Sequence, residues 1–189
     1  MLNKKELRKE ILKLRDGISK ETKKIYDNQI FEKFITHKKF KECKNIFIFV
    51  SYKSEVDTHE IIKYCFNNNK KVFIPKVKNA DGDMGAFKIN SFSQLKVGYK
   101  GILECDDTAE EVDKNDIELV VMPGTVFDLN GGRIGYGGGF YDKFLNDLSE
   151  DKFKIALAYD FQVLNEIPNE EHDIKPNVIL TNKRILKIV

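Results

Sequence analysis

The chain has 189 residues, a length that predicts one domain with a substantial core. Its 32 Lys and Arg residues nearly balance its 30 Asp and Glu residues, and the net charge of +2 gives no support for a nucleic-acid or membrane-surface partner. No apolar run approaches the roughly 18 residues of a membrane span, the first residues lack the apolar stretch of a secretory signal, and the three cysteines are widely spaced. We therefore expect a cytoplasmic protein without disulfides, and a monomer.

The N-terminal segment predicts an amphipathic helix from Lys4 to about Asp16. Its apolar stripe comprises Leu7, Ile11, Leu14 and Ile18. At about 100° per residue, Lys4, Arg8 and Arg15 fall within roughly 40° of one another, beside that stripe. A cationic strip in this position can reach into a cleft, and a solvated surface is the alternative. A second helix, capped by Ser19, is predicted to extend to about Thr36.

Short apolar runs alternate with helical patterns through the rest of the chain. The predicted strands are Ile46–Val50, Val72–Pro75, Met84–Ile89, Leu119–Met122, Lys154–Tyr159 and Val178–Leu180, and the predicted helices are Thr58–Asn69 and Phe140–Leu148. This alternation predicts a single α/β domain over residues 1–189, with a mainly parallel sheet covered by helices on both faces. Ligands bind beyond the carboxyl ends of such strands, where Glu55 and Asp57 are well placed. For Asp57 and Thr58 we favour capping of the next helix, so Glu55 is the candidate site residue.

The stretch between the strand ending at Met122 and the helix starting at Phe140 is rich in glycine. Six of the twelve glycines lie between Gly131 and Gly139. Such a loop can turn successive backbone N–H groups towards an anion, and Arg133 adds a fixed cation. Asp142 could hold Mg²⁺ in the first helical turn. The flat side chains available to contact a ring are Tyr136, Phe140 and Tyr141. The stretch matches neither of the two common glycine-rich phosphate motifs.

The run R-I-G-Y-G-G-G-F-Y-D, from Arg133 to Asp142, resembles the R-L-G-x-G-x-G-Y-Y-D signature of the 5-formyltetrahydrofolate cyclo-ligases, with Phe140 in place of the first tyrosine. Other matches span nearly the whole chain. Lys4 to Arg8 is similar to the family's K-x-x-L-R opening, Glu55 stands where the family has a glutamate that contacts the pterin, and I-P-N-E-E-H-D ends at Asp173. The resemblance implies a fold of the sugar-phosphate isomerase and CoA-transferase type.

The resemblance also implies a reaction and a set of site residues. In that reaction, ATP and 5-formyltetrahydrofolate give 5,10-methenyltetrahydrofolate, ADP and phosphate. The implied ATP-binding residues are Lys4, Arg8, Arg133, Ile134, Gly135, Tyr136, Gly137, Gly138, Gly139, Phe140 and Tyr141. The implied substrate-binding residues are Val50, Glu55, Tyr136, Gly137, Gly138, Gly139 and Phe140. Arg133 and Tyr141 are the implied catalytic residues, and Asp142 and Asp173 are the implied Mg²⁺ ligands.

Two other functions would use the same glycine-rich stretch. A sugar-phosphate isomerase would bind its phosphate there without ATP, and a nucleotide-binding regulatory module would bind ATP without turning it over. Folate-dependent hydrolysis of ATP distinguishes the cyclo-ligase from both.

Overall fold

A computed structural model describes residues 2–79, 83–98, 101–149, 151–170 and 173–188. Within those residues the α-helices are α1 (Lys4–Asp16), α2 (Lys20–Thr36), α3 (Lys38–Glu42), α4 (His59–Asn67) and α5 (Phe140–Asn146). The first strands are β1 (Asn45–Ile48), β2 (Lys71–Val77), β3 (Met84–Ile89), β4 (Leu95–Val97), β5 (Leu103–Cys105) and β6 (Leu119–Met122). They are followed by β7 (Val126–Asp128), β8 (Arg133–Ile134), β9 (Phe153–Ala158), β10 (Val163–Leu164), β11 (Val178–Thr181) and β12 (Ile185–Lys187). No helix in these ranges is long and apolar enough to cross a membrane.

Across the described residues, seven strands form a sheet in the order β12-β11-β9-β6-β1-β2-β3. The five strands from β11 to β2 run parallel, and the two edge strands β12 and β3 pair antiparallel with their neighbours. The mainly parallel sheet predicted from the sequence is therefore confirmed. The carboxyl ends of β9, β6 and β1 lie side by side in the middle of the sheet.

The central strands are apolar throughout because both faces of the sheet are covered. Along β1, Ile46 and Ile48 belong to one core cluster, whereas Phe47 between them belongs to the other. Residues of α2 and α4 pack in the first cluster, and residues of α5 pack in the second. A third, smaller cluster joins Leu7 and Ile11 of α1 to a short hairpin. The predicted helical cover on both faces is confirmed.

That hairpin is the main difference from the predicted elements. The sequence indicates a continuous glycine-rich loop up to Phe140, but strands β7 and β8 pair antiparallel within it. Asp128 accepts backbone hydrogen bonds from Asn130 at 2.9 Å and Gly132 at 2.7 Å, which close the turn. A side chain on Gly132 would lie 2.7 Å from the Asp128 carboxylate. Two of the six clustered glycines, Gly131 and Gly132, thus belong to a turn rather than to an anion loop.

The buried face of α1 also differs from the prediction. Leu7 and Ile11 are buried as expected, whereas Leu14 is 57% exposed. The third core cluster, which covers the first two turns of α1, does not extend to its last turn. There the buried residue is Arg15, which is only 3% exposed.

Candidate active site

The candidate site lies over the carboxyl ends of the three central strands, where open α/β sheets usually bind ligands. A small, partly open pocket lies there. We call it the strand-end pocket, and its lining residues are Arg15, Phe49, Glu55, Val56, Pro123, Gly124, Leu157 and Gln162. They come from α1 and from the segments at or after the ends of β1, β6 and β9. One helix and three strands therefore converge on a single pocket.

Glu55 is a buried carboxylate in this pocket, with 8% of its surface exposed. Its Oε1 accepts a hydrogen bond from the Tyr136 hydroxyl at 2.6 Å, and its Oε2 accepts one from the backbone N–H of Tyr52 at 2.8 Å. Burial raises the pKa of Glu55 above its ordinary value, and these two hydrogen bonds together with the charges of Arg15 and Lys23 oppose that rise. The side chain is thus oriented from both oxygens in the absence of any ligand.

Asp57, the other acidic candidate after β1, caps a helix. Its Oδ1 accepts a hydrogen bond from the backbone N–H of His59, the first residue of α4, at 2.8 Å. Thr58 turns inward, and its hydroxyl donates to the carbonyl of Phe49 at 2.7 Å. The capping alternative for Asp57 is confirmed.

The glycine loop, defined here as Gly135 to Gly139, joins the hairpin to α5. Gly137 and Gly139 have φ values of +96° and +69°, which other residues rarely adopt. Arg8 holds the start of the loop, because its Nε donates to the carbonyl of Gly135 at 2.7 Å. None of the described residues accepts a hydrogen bond from the backbone N–H groups of this loop. These groups are therefore available to an anion.

Arg133 precedes the glycine loop and is 5% exposed. Its Nη2 is ion-paired to Asp142 of α5, and its Nη1 donates to the carbonyl of Pro123 at 3.3 Å. Its Nε is buried without a partner among the described residues, as are the hydroxyls of Tyr141 and Thr125. Burial raises the pKa of Tyr141 well above its ordinary value, so its hydroxyl stays protonated and can only act as a donor to an anion. Unpaired buried donors are costly, and a bound ligand would satisfy them.

Lys4, at the start of α1, pairs with two carboxylates. Its Nζ lies 2.9 Å from Asp173 and 2.9 Å from Glu170. Partial burial lowers the pKa of Lys4, but the hydrogen bonds to these two carboxylates outweigh it and leave the pKa raised. Within the described ranges, no group of three or more His, Cys, Asp or Glu side chains is placed to hold a metal ion by itself. His172, considered beside Asp173 in the sequence, lies outside the described residues.

The remaining predicted residues lie around the pocket and the loop. Val50 is buried in the first core cluster, next to the pocket-lining Phe49. Ile134 is buried against α1 in the third cluster, and Phe140 begins α5. Arg8 and Lys4 share one face of α1, as the angular spacing predicted.

Three residues of the site were absent from the predicted binding and catalytic residues. Arg15 was grouped with the other two cations of α1, but it lies in the strand-end pocket with Glu55. Gln162 donates to the carbonyl of Thr125 at 2.9 Å and thereby fixes the chain after β6. The buried Thr125 hydroxyl has no hydrogen-bond partner among the described residues, and no sequence motif could have predicted it. For Arg15, the α1 periodicity was the available signal, because it places this residue beside Arg8.

Comparisons with known proteins agree with this geometry. A sequence profile of the 5-formyltetrahydrofolate cyclo-ligase family matches residues 1–182. The 5-formyltetrahydrofolate cyclo-ligase of Mus musculus is 29% identical over 187 residues, which cover 94% of this chain and 92% of that protein. The mitochondrial 5-formyltetrahydrofolate cyclo-ligase of Arabidopsis thaliana is 31% identical over 174 residues, which cover 79% of this chain and 63% of that protein.

A solved structure has the same fold. The NMR structure of 5,10-methenyltetrahydrofolate synthetase from Aquifex aeolicus has a TM-score of 0.88 to this chain and is 30% identical to it, covering 98% of this chain and 92% of that one. The match extends over both the sheet and the segments that carry the candidate site. The sequence matches and the shared fold thus agree, and the chain belongs to the 5-formyltetrahydrofolate cyclo-ligase family, the enzymes that use ATP to convert 5-formyltetrahydrofolate into 5,10-methenyltetrahydrofolate.

Proposed function

We propose that this chain carries out the ATP-dependent ring closure of 5-formyltetrahydrofolate in the space between the glycine loop and the strand-end pocket, releasing ADP and phosphate. The observation that carries the proposal is a pair of buried, oppositely charged side chains, Arg133 and Glu55, whose charges both act on the Tyr141 hydroxyl. Arg133 is positive, 5% exposed and followed by unpaired loop N–H groups, whereas Glu55 is negative and 8% exposed. A phosphate group suits the surroundings of Arg133, and a pterin ring suits those of Glu55.

On the nucleotide side, Arg133 and the N–H groups of the glycine loop would bind the transferring phosphoryl group. The unpartnered Arg133 Nε and Tyr141 hydroxyl support this assignment, because phosphoryl oxygens would accept from both. Lys4 and Arg8 would bind the other phosphates. The side chains of Ile134, Tyr136 and Phe140 would contact the nucleotide beside the loop glycines.

On the folate side, Glu55 would accept the pterin N3–H and 2-amino group with its two oxygens. Each oxygen now accepts one hydrogen bond, and a carboxylate offers about four lone pairs, so capacity remains for the ring. Val50 would form the wall behind Glu55. Phe140, Tyr136 and Gly137 to Gly139 would face the substrate from the loop.

The chemistry requires mostly positioning and charge neutralisation, as in other phosphoryl transfers. The formyl oxygen would attack the γ-phosphate and displace ADP, which gives an iminophosphate. N10 would then attack the formyl carbon, the carbon–oxygen bond would break, and phosphate would leave with that oxygen and take up the proton released from N10. Arg133 and Tyr141 would stabilise the negative charge on the phosphoryl oxygens throughout.

Mg²⁺ fits this site as a partner of the nucleotide. Asp142 and Asp173 offer the hard oxygen ligands that it prefers, and one or two carboxylates with substrate phosphates are its usual protein environment. Both carboxylates are ion-paired to Arg133 and Lys4, the cations assigned to phosphate. When bound, Mg²⁺ would neutralise charge on the phosphates, and the two cations would be released to the same phosphates.

The test is the formation of 5,10-methenyltetrahydrofolate, followed by its near-ultraviolet absorbance, from 5-formyltetrahydrofolate with and without ATP. We expect absorbance to appear only with ATP and Mg²⁺, with one phosphate released per product. Absorbance that forms equally fast without ATP would refute the proposal. The cytoplasmic location, the monomeric state, the single domain over residues 1–189 and the isomerase-like fold type remain predictions from the sequence.

A further inference from the structure

A chain of two short hydrogen bonds connects three elements across the site. The Nη2 of Arg15 donates to the Tyr136 hydroxyl at 2.6 Å, and this hydroxyl donates to the Oε1 of Glu55 at 2.6 Å. A guanidinium group can only donate, an ionised carboxylate can only accept, and a hydroxyl has a single proton. The direction of both bonds is therefore fixed, and Tyr136 is the link between the cation and the carboxylate.

Arg15 and Glu55, which lie at the two ends of this hydrogen-bonded series, are each held by a further contact. Arg15 is 3% exposed, its Nε donates to the Ser54 hydroxyl at 3.1 Å, and its guanidinium carbon lies 5.6 Å from the centre of the Tyr136 ring. Glu55 is held at its other oxygen by the backbone N–H of Tyr52. With its donors directed at Ser54 and Tyr136, Arg15 belongs to the folate side of the site rather than to the nucleotide phosphates.

Tyr136, the residue between the two hydrogen bonds, lies in the glycine loop. Gly135, just before Tyr136, receives the Arg8 hydrogen bond, and a side chain on Gly137, just after it, would lie 3.5 Å from the Arg8 guanidinium carbon. Arg8 and Arg15 are seven residues apart, about two turns on one face of α1. The loop is therefore tied to this helix twice. The family signature leaves the position of Tyr136 open.

We infer that Tyr136 is a positioning residue that holds the Glu55 carboxylate in the direction needed by the folate, and that Arg15 anchors it. The inference rests on the proposed function of Glu55. Tyr136 acts through Glu55 and needs no contact of its hydroxyl with the reacting atoms. Because Tyr136 belongs to the nucleotide loop, the same hydroxyl ties the orientation of the folate carboxylate to the position of that loop.

The test compares Tyr136→Phe with Tyr64→Phe, a matched control that removes a hydroxyl on α4, away from the site. Tyr136 is 50% exposed, so the loss of its hydroxyl leaves the core intact. We expect the KM for 5-formyltetrahydrofolate to rise about ten- to hundredfold, the scale of one hydrogen bond to a charged group. The KM for ATP should rise by a clearly smaller factor, because phenylalanine keeps the ring that is assigned to the nucleotide contact. Arg15→Lys should raise the folate KM by a smaller factor, because it keeps the charge but loses the fork.

A pH profile separates positioning from a general structural effect. The groups that face Glu55 are Arg15 from α1, Lys23 from α2, the Tyr136 hydroxyl from the loop, the backbone N–H of Tyr52, and Tyr141 from α5. The Tyr136 hydrogen bond favours the ionised carboxylate, so its loss should move the acid limb of kcat/KM for folate to higher pH. Tyr64→Phe should leave that limb in place.

Two results would overturn the inference. One is a Tyr136→Phe enzyme whose folate KM and acid limb both match those of the wild type. The other is an equal rise in the KM values for folate and ATP, which would indicate that Tyr136 only shapes the loop. A wild-type enzyme that forms no product from ATP and 5-formyltetrahydrofolate would instead refute the proposed function, and this outcome is recognised before any variant is compared.

Discussion

The charged side chains of the site are already paired before any ligand binds, and Arg133 and Glu55 are also buried. Arg133 faces Asp142, Glu55 faces Tyr136, and Lys4 faces Asp173. Removing one partner of a buried pair costs more than the pair itself contributes, because the remaining charge is left without compensation. Conservative substitutions are therefore the informative ones at this scale.

Arg133→Lys should fold normally and lose most of its turnover. A lysine keeps the positive charge, but it cannot bond to Asp142, to Pro123 and to a phosphate at the same time through a planar fork. Turnover and thermal unfolding, measured on the same preparation, check this prediction. If Arg133→Lys retains near-normal turnover, Arg133 does not belong to the phosphate site.

Glu55→Gln should weaken folate binding by about 1.5–3 kcal/mol, the contribution of a hydrogen bond to a charged group. Glutamine keeps the size of the side chain but offers only one acceptor to a pair of pterin donors. Calorimetric titration with 5-formyltetrahydrofolate and, separately, with ATP measures the effect. Weaker ATP binding with normal folate binding would mean that the two pockets are reversed.

The raised pKa of Glu55 makes folate binding sensitive to acid. The ordinary glutamate value is 4.5, and burial moves the pKa of Glu55 above it. Folate binding that needs the ionised form should therefore be lost at a higher pH than an exposed glutamate would give, and Glu55→Gln should lack this dependence. In the ligand-free protein the same shift contributes stability that is present below the ordinary pKa and is lost as the pH rises through the raised one. The wild type should thus lose stability relative to Glu55→Gln as the pH rises towards neutrality.

Among the structural elements, the hairpin of β7 and β8 places Arg133 in contact with Pro123, which lines the strand-end pocket. Asp128 is fully buried and accepts three backbone hydrogen bonds, from Asn130, from Gly132 and, at 3.1 Å, from Ile167. Its carboxylate therefore fixes the hairpin turn and also joins it to the segment that leads to Asp173.

Asp128→Ala should lower the free energy of unfolding by about 2–4 kcal/mol, because it leaves several buried N–H groups without acceptors. Asp128→Asn keeps one carbonyl oxygen and should cost less. Urea denaturation of the three proteins measures this order, and turnover should fall with it because β8 carries Arg133. Equal stability of Asp128→Ala and the wild type would show that the turn is held by its glycines alone.

Helix α5 presents Asp142 to the glycine loop in its first turn. Asp142→Asn should raise the Mg²⁺ concentration needed for half-maximal rate, and Asp173→Asn should do so to a smaller extent. Mg²⁺ should bind the free protein only weakly, because most of its ligands would come from the nucleotide. Asp147→Asn is the matched control, since the exposed Asp147 lies at the other end of α5 and pairs with Lys114. An unchanged Mg²⁺ dependence in Asp142→Asn, with slightly lower thermal stability, would reduce Asp142 to a helix-stabilising charge.

The elements show where sequence reasoning succeeded and where it stopped. The central strands were predicted because a strand covered on both faces is a continuous apolar run, and β6 was located to the residue. Glu55 followed from its position just after such a strand. The hairpin was missed because the apolar pattern of three-residue and two-residue strands is too short to detect, and its glycines resembled an anion loop.

The contact of Arg15 with Tyr136 could not be predicted from the sequence, for a different reason. The two residues are 121 positions apart, and helical periodicity gives the face of α1 but not what lies opposite it. Leu14 shows the same limit, because its burial depended on how far the hairpin extends along the helix. Periodicity thus predicted which cations share a face of α1, and only the fold could assign each of them a partner.

At the scale of the whole molecule, α1 lies along the site and contacts each of its parts with one cation. Lys4 reaches the segment of Glu170 and Asp173, and about 16 Å further along the helix axis Arg15 reaches the strand-end pocket. Arg8 contacts the glycine loop between them. The first sixteen residues therefore contribute to both substrate pockets, although none of them belongs to the central sheet.

The paired charges around the glycine loop also affect the rate at which ATP associates. The cations Lys4, Arg8 and Arg133 are matched in number by the carboxylates Asp142, Glu170 and Asp173. Groups that cancel over a few ångströms create little field beyond a Debye length, which is about 8 Å at physiological ionic strength. The association rate of MgATP, measured by stopped flow, should therefore change less than about threefold between low and high salt, unlike a steered encounter. A steep fall of this rate with salt would mean that the ion pairs are broken in solution. In Asp142→Asn, which removes one paired carboxylate, the rate should depend more strongly on salt than in the wild type.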